Sequence, residues 1–269
     1  MLKTRVVTAL VLLAVFLPVT LFAPVAAFGA LIGVVVVFAA WEWARLLKTG
    51  GAGAVIYALV AAVVVAASAK FETPHALFRA ASVFWIVAGP YVLVRKPALA
   101  TGAWRLFLLA AGLAIFAACW QALVAARTEG VAFVLSLLLV VWLADIGAYF
   151  AGKAFGRHKL APAISPGKTW EGAAGGWVAV MAVALAAVLL HAFEPTLYST
   201  LVARGGMARA LVWLTVLVAF SVIGDLFESM LKRQAGVKDS SGLLPGHGGV
   251  LDRIDALLPV LPLALWLLG

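Results

Sequence analysis

Apolar runs of about 20 residues recur along the whole chain, each closed by glycine, proline or basic residues. A helix rises 1.5 Å per residue, so each run can cross a hydrocarbon layer roughly 30 Å thick. The chain is 65% hydrophobic and 12% charged, and these runs leave no stretch of its 269 residues for a soluble domain. The expected fold is therefore all-α: a polytopic transmembrane helical bundle with polar connections. The hydropathy breaks predict nine helices near residues 6–21, 25–44, 53–69, 79–94, 104–124, 131–150, 172–192, 208–231 and 254–268. The boundary around Pro18 and Pro24 fits either a kinked hairpin or one long broken helix. The opening Met1-Leu-Lys3-Thr-Arg5 imitates a signal peptide, but no hydrophilic mature protein follows, so it is read as the start of the first span.

In a soluble protein a net charge of +9 would suggest nucleic acid as a partner. Here the cations flank hydrophobic spans and no groove-reading or base-stacking module is present, so nucleic acid is not an expected partner. With the N-terminus placed in the cytosol, 15 of the 20 Lys and Arg fall on the cytosolic side, leaving Lys70, Arg79, Arg127, Arg204 and Arg209 on the other. That bias agrees with the positive-inside rule and with an odd helix count. The lone Cys119 excludes an intrachain disulfide and a cysteine-based zinc site. The four histidines are scattered, which argues against a histidine metal site.

Seven of the 11 acidic residues lie in or beside three polar segments of the second half. Residues 1–130 are accordingly expected to form a scaffold of transmembrane helices, and residues 131–269 a catalytic region with cytosolic-side loops. The first segment closes the sixth helix. Asp145, Tyr149 and Gly152 share one helical face there, and a carboxylate facing lipid would cost at least ~2.5 kcal/mol, so Asp145 should face the bundle interior or water. A structural pairing with Lys153 or Arg157 would also account for it.

The second segment, Gly156 to Gly172, leads into the seventh helix. Ser165 or Thr169 can cap that helix and Pro166 suits its first turn, so backbone N–H groups and Lys168 would face an anion. Its Gly-Lys-Thr triplet is not a P-loop, because Pro162 stands where that motif needs glycine and no strand precedes it. An ordinary capped linker is the plainer alternative.

The third segment starts inside the eighth helix, where Ser221, Asp225, Glu228, Ser229 and Lys232 form a polar stripe. Counting from Ala208, Asp225 lies ~25 Å along that helix, near the cytosolic interface. Beyond it runs the most polar loop of the chain, with Lys232, Arg233, Lys238 and Arg253 as phosphate-binding cations. Gly242, Gly246, Gly248 and Gly249 let the backbone approach phosphate oxygens. Asp225, Asp252 and Asp255 could converge on a hard divalent cation that prefers oxygen ligands, or be helix-to-helix ion pairs. His247, between glycines, could contact a phosphate or serve only the loop's structure.

Residues Ser229 to Asp255 read Ser-x-apolar-Lys-Arg, four residues, Lys-Asp-x-small, two residues, apolar-Pro-x-His-Gly-Gly-apolar-x-Asp-Arg-apolar-Asp. This run resembles the signature of the phosphatidate cytidylyltransferases (CDP-diacylglycerol synthases) at every specified position. Asp145 with Tyr149, and Ser165-Pro166-x-Lys168-Thr169-Trp170-Glu171-Gly172, resemble the family as well, although Gly167 stands where a lysine is expected. The likeness is specific from about Trp142 onward and only architectural before it.

The resemblance implies an integral enzyme of the bacterial inner membrane that joins phosphatidate and CTP to give CDP-diacylglycerol and pyrophosphate. It implies Mg2+ as the required cation, with a second cation left open. On that reading Asp225 and Asp252 are the expected metal ligands and, with Lys232, Arg233, Lys238 and Asp239, the catalytic set. Substrate-binding residues would be Asp145, Tyr149, Ser165, Lys168, Thr169, Glu171, Ser229, His247, Gly248, Gly249, Arg253 and Asp255. A homodimer is compatible with such a bundle, but no residue pattern specifies it. A transporter is disfavoured because no internal repeat is visible and the charges gather at one face. A non-catalytic lipid-binding relative is disfavoured by the complete signature, and the Asp-Gly-x-x-Ala-Arg pattern of CDP-alcohol phosphotransferases is missing. A CTP-dependent transferase acting on another lipid phosphate is the nearest rival.

Overall fold

A computed structural model describes residues 2–70 and 74–269. Six long helices come first: α1 (Leu2–Phe22), α2 (Val25–Leu46), α3 (Gly50–Ser68), α4 (His75–Arg95), α5 (Gly102–Glu129) and α6 (Val131–Phe155). Strands β1 (Lys159–Ala161) and β2 (Ser165–Thr169) follow, then α7 (Trp170–Leu189), α8 (Leu197–Ala235), the single turn α9 (Leu251–Ile254) and α10 (Leu257–Leu268). Among the described residues, eight helices are long and apolar enough to cross a membrane. The chain is an all-α polytopic membrane protein.

Three details refine the expected helix map. The break near the N-terminus falls at Pro24, which precedes α2 in an extended conformation, whereas Pro18 is accommodated inside α1. α8 is two helices joined at Gly206, whose φ of 74° only glycine adopts without strain, so its membrane-crossing part starts where residues 208–231 were expected. The last expected span is a short helix of 12 residues, about 18 Å long, whose residues Leu257 to Ala264 are all buried within the bundle. α10 therefore fills the centre of the protein against α4, α5 and α8 rather than facing lipid along a full span.

Glycines set how closely the helices of the second half approach. α6 and α7 pack with Gly147 against Gly175 and Gly176: a Cβ on Gly147 would lie 2.8 Å from the Gly175 carbonyl oxygen. Without lipid-excluding pressure between helices, such small-residue seams supply close backbone packing. At Gly224, α8 meets the Asp255 carbonyl and the ring of Pro259, which places Asp225 beside the α9–α10 junction.

Side chains also fix which helix ends share a face. Thr8 Oγ1 donates to the Pro245 carbonyl at 2.8 Å, so the start of α1 lies with the loop after α8. Arg127, at the end of α5, donates to the carbonyls of Thr20 (2.8 Å) and Ala23 (3.1 Å) at the opposite end of α1. Gly269 lies against His75 at the start of α4. The ends alternate as a chain that crosses back and forth requires.

Candidate active site

The link expected as a capped loop between α6 and α7 is a β-hairpin, with Lys159 opposite Thr169 and Ala161 opposite Ser165. Thr169 does cap α7, accepting from Gly172 N–H at 3.1 Å. Glu171 reaches back to the start of the hairpin, accepting from the N–H of Arg157 (3.1 Å) and of His158 (3.2 Å) and meeting His158 Nδ1 at 2.5 Å. Both residues, expected to bind substrate, are thus engaged in shaping the hairpin. Their work presents Ser165 and Lys168 to a polar cavity of about 500 Å3 that Asp145, Tyr149, Lys153 and Asp225 also line.

Within that cavity Lys168 Nζ contacts Asp225 Oδ2 at 2.5 Å, and Ser229 Oγ donates to Asp225 Oδ1 at 3.2 Å. The charges of Asp145, Asp225 and Asp255 repel one another, and Lys168 and Arg253 partly offset this around Asp145. Two turns beyond Asp225 on α8, Lys232 bridges Glu228 and Asp252, with Nζ 2.6 Å from Asp252 Oδ1. Only 12% of the Lys232 side chain and 4% of the Asp252 side chain is exposed, so this pair interacts in a medium much less screening than water.

The loop between α8 and α9 is built to face Asp252. Gly236, Gly246 and Gly248 take positive φ, and Leu244 N–H donates to the Gly248 carbonyl at 2.8 Å, closing a tight turn around Pro245 and His247. That turn aims Gly249 N–H at Asp252 Oδ2 (2.7 Å), and Ser240 adds its N–H and hydroxyl, each at 2.9 Å. Burial alone would raise the Asp252 carboxyl. The Lys232 ammonium and the Gly249 and Ser240 N–H groups outweigh it and hold the carboxyl at about 2.

Arg233 donates to the carbonyls of Ile164 (3.3 Å) and Val237 (3.4 Å), tying the hairpin to the end of α8. Lys238 and Asp239 are exposed at the mouth of the loop. His247 Nδ1 is buried without a partner among the described residues. Arg253 is exposed and lines an apolar cavity of about 310 Å3 together with Leu12 and Phe16 of α1, Val35 of α2, Trp142 of α6 and Leu261 of α10, while its charge also reaches Asp145. A cation thus stands where an oily groove approaches the polar cavity.

A cytidylyltransferase family profile matches residues 3–269. The chain belongs to the cytidylyltransferase family. It is 43% identical over 280 aligned residues to the phosphatidate cytidylyltransferase of Pseudomonas aeruginosa, covering 100% of this chain and 98% of that protein. Over 134 residues it is 49% identical to the phosphatidate cytidylyltransferase of Haemophilus influenzae, covering 50% of this chain and 44% of that protein. The Staphylococcus saprophyticus phosphatidate cytidylyltransferase is 44% identical over 137 residues, 51% of this chain and 49% of the other.

For a cytidylyltransferase the donor set fits a hard cation in part. Asp145 and Asp225 offer carboxylate oxygens to one polar cavity, and two protein ligands plus waters and substrate phosphate is how Mg2+ is usually held. Among the described residues no group of three or more His, Cys, Asp and Glu side chains lies close enough to hold a metal by itself. Asp225 and Asp252, expected to share one cation, are engaged by different lysines. Asp252 has both oxygens committed to Lys232 and the loop, whereas Asp225 is held chiefly by the flexible Lys168 side chain.

The sequence reading missed Glu42. This carboxylate, between Trp41 and Trp43 on α2, is fully buried and accepts from Val250 N–H (3.0 Å), Leu251 N–H (2.5 Å), Ser240 Oγ (3.1 Å) and Ser241 Oγ. A lone acid inside an oily span was the available signal, since an unpaired charge there is costly and implies a partner. It lies in the half of the cytidylyltransferase chain read as scaffold.

Proposed function

We propose that the chain transfers a cytidylyl group from CTP to phosphatidate, giving CDP-diacylglycerol and pyrophosphate, at the cytosolic face of a bacterial inner membrane. The observation that carries this reading is the two lysine–carboxylate pairs anchored on α8, Lys168–Asp225 and Lys232–Asp252, with Arg253, the neighbour of Asp252 in the chain, lining an apolar groove. A lipid phosphate is the substrate that needs both environments. The full-length likeness to the Pseudomonas aeruginosa enzyme supports the same choice.

The chemistry asks for charge neutralisation more than for a base. A phosphate monoester has its second pKa near 6, so its oxygen is already a nucleophile at neutral pH. That oxygen attacks the α-phosphorus of CTP, the bond from this phosphorus to the bridging oxygen breaks, and pyrophosphate leaves with its electron pair. Two highly charged anions must approach, and fixed cations in a poorly screened site reduce that repulsion most effectively. Lys168, Lys232 and Arg253, with Arg233 and Lys238 at the loop's edge, are placed to do so. Asp225, with Asp145, is the best-placed donor for Mg2+, which supplies further neutralisation of the triphosphate when bound. Asp252 orients Lys232 and the glycine loop, and Asp255, whose Oδ1 accepts from Ala256 N–H, sits at the α9–α10 junction against Gly224, the neighbour of Asp225. His247, whose buried Nδ1 has no partner among the described residues, and Ser229, which donates to Asp225, complete the contacts we assign to substrate and its ligands. Residues 131–269 supply most of this machinery and residues 1–130 the frame, with Glu42 as the exception.

The groove gives a test that separates lipid from headgroup recognition. Val35→Trp fills the apolar cavity without touching the polar one. We expect KM for a long-chain phosphatidate to rise ~10-fold, on the order of 1.4 kcal/mol of lost apolar contact. The KM for dihexanoyl phosphatidate and for CTP should stay near wild type. An equal change for both lipids, or none for either, would take the acyl chain out of this groove.

A further inference from the structure

We propose that Glu42 is a positioning residue for this transfer, holding the Ser240–Leu251 loop so that Asp252 and Lys232 present their charges in register. The proposal rests on the reaction proposed above and extends it to a residue of α2. Glu42 is fully buried, yet all its identified partners lie about 200 residues away in the chain: two backbone N–H groups and two serine hydroxyls. A carboxylate is the side chain that offers acceptors alone, and two of these four donors are backbone groups that cannot rotate away.

The geometry also links Glu42 to Asp252 directly. Ser240 Oγ lies 3.1 Å from Glu42 Oε2 and 2.9 Å from Asp252 Oδ2, but a hydroxyl has one proton to give. Asp252 Oδ2 keeps the Ser240 and Gly249 N–H groups whichever carboxylate receives that proton. Glu42 thus fixes the serine from behind, and the serine fixes the face that Asp252 turns to Lys232. A Cβ at Gly249 would collide with Ser240 Oγ and Glu42 Oε1, so the loop is seated against the acid without slack.

Glu42→Gln substitutes a donor for one acceptor oxygen, so an amide must face at least one fixed N–H group. In the purified, detergent-solubilised full chain we expect kcat to fall ~30-fold or more, with KM for CTP and phosphatidate within about threefold of wild type. Glu42→Asp keeps four acceptor sites on a shorter arm and should recover part of kcat. Ser240→Ala removes only the shared hydroxyl and should lower kcat in the same direction, which decides the matter if Glu42→Gln does not fold. Hydrogen exchange supplies a readout apart from turnover: the Val250 and Leu251 amides should exchange faster in Glu42→Gln while the helices remain protected. If folded Glu42→Gln, or Ser240→Ala in its place, keeps kcat within threefold of wild type, the positioning role is wrong. It is equally wrong if kcat falls only in proportion to the folded fraction, or if the two amides are unchanged. A wild-type protein inert toward CTP and phosphatidate would defeat the proposed reaction, and exchange at the two amides would still decide whether Glu42 holds the loop.

Discussion

Asp225→Asn should abolish turnover, with a loss of ~10^3-fold or more, because it removes the carboxylate best placed for the cation and the counter-charge of Lys168. The amide keeps the size of the side chain and can still accept from Ser229. Stability should hold or rise slightly, since Asp225 is one of three carboxylates that repel one another beside the α9–α10 junction. Turnover of saturating CTP and phosphatidate, read with the unfolding temperature of the same preparation, checks both halves. Near-normal activity would remove Asp225 from the cation site.

Asp252→Asn should behave differently although the chemical change is the same. If the amide oxygen takes the three loop donors, its NH2 group faces the Lys232 ammonium and the ion pair is lost. We expect a loss of turnover of ~10^2- to 10^3-fold. The pair is nearly buried, so stability should fall as well, though by less than the ~3 kcal/mol typical of a buried charge left alone, because Lys232 keeps its contact with Glu228. The pH dependence has a definite sign. The folded carboxyl sits at about 2, below its ordinary 3.8, so its contribution is complete above roughly pH 4 and is lost as pH falls toward 2. In Asp252→Asn that part of the acid destabilisation should vanish. Opposite stability effects in the two Asp→Asn variants would distinguish a ligand-facing carboxylate from a structural one.

The parts of this architecture with strong local signals are legible in the amino-acid order itself. Hydropathy locates the long spans because each exceeds the length a bilayer demands, whereas the extra helical segment before Gly206 carries no such signal. The stripe from Asp225 to Lys232 is legible because helical spacing puts those residues on one face. What depends on distant partners is not. The hairpin at Lys159–Thr169 is held by Glu171 reaching back to Arg157 and His158, which composition reads only as a linker. α10 has the hydrophobicity of a span, but its burial comes from α4, α5 and α8 closing around it. Asp225 and Asp252 look like joint ligands along the chain, while Lys168 and Lys232 separate their roles in space. Glu42 gives only the weak sign of one acid in an oily helix, and its meaning emerges with the loop that closes on it.

The most direct measurement supplies the purified chain with phosphatidate, Mg2+ and CTP labelled in one reaction at the α-phosphate and in another at the γ-phosphate. The account predicts that the α label moves into the organic phase as CDP-diacylglycerol and the γ label is released into water as pyrophosphate, in equal amounts. Transfer of the γ label to lipid, or no labelled lipid from a folded protein with all components present, would contradict it.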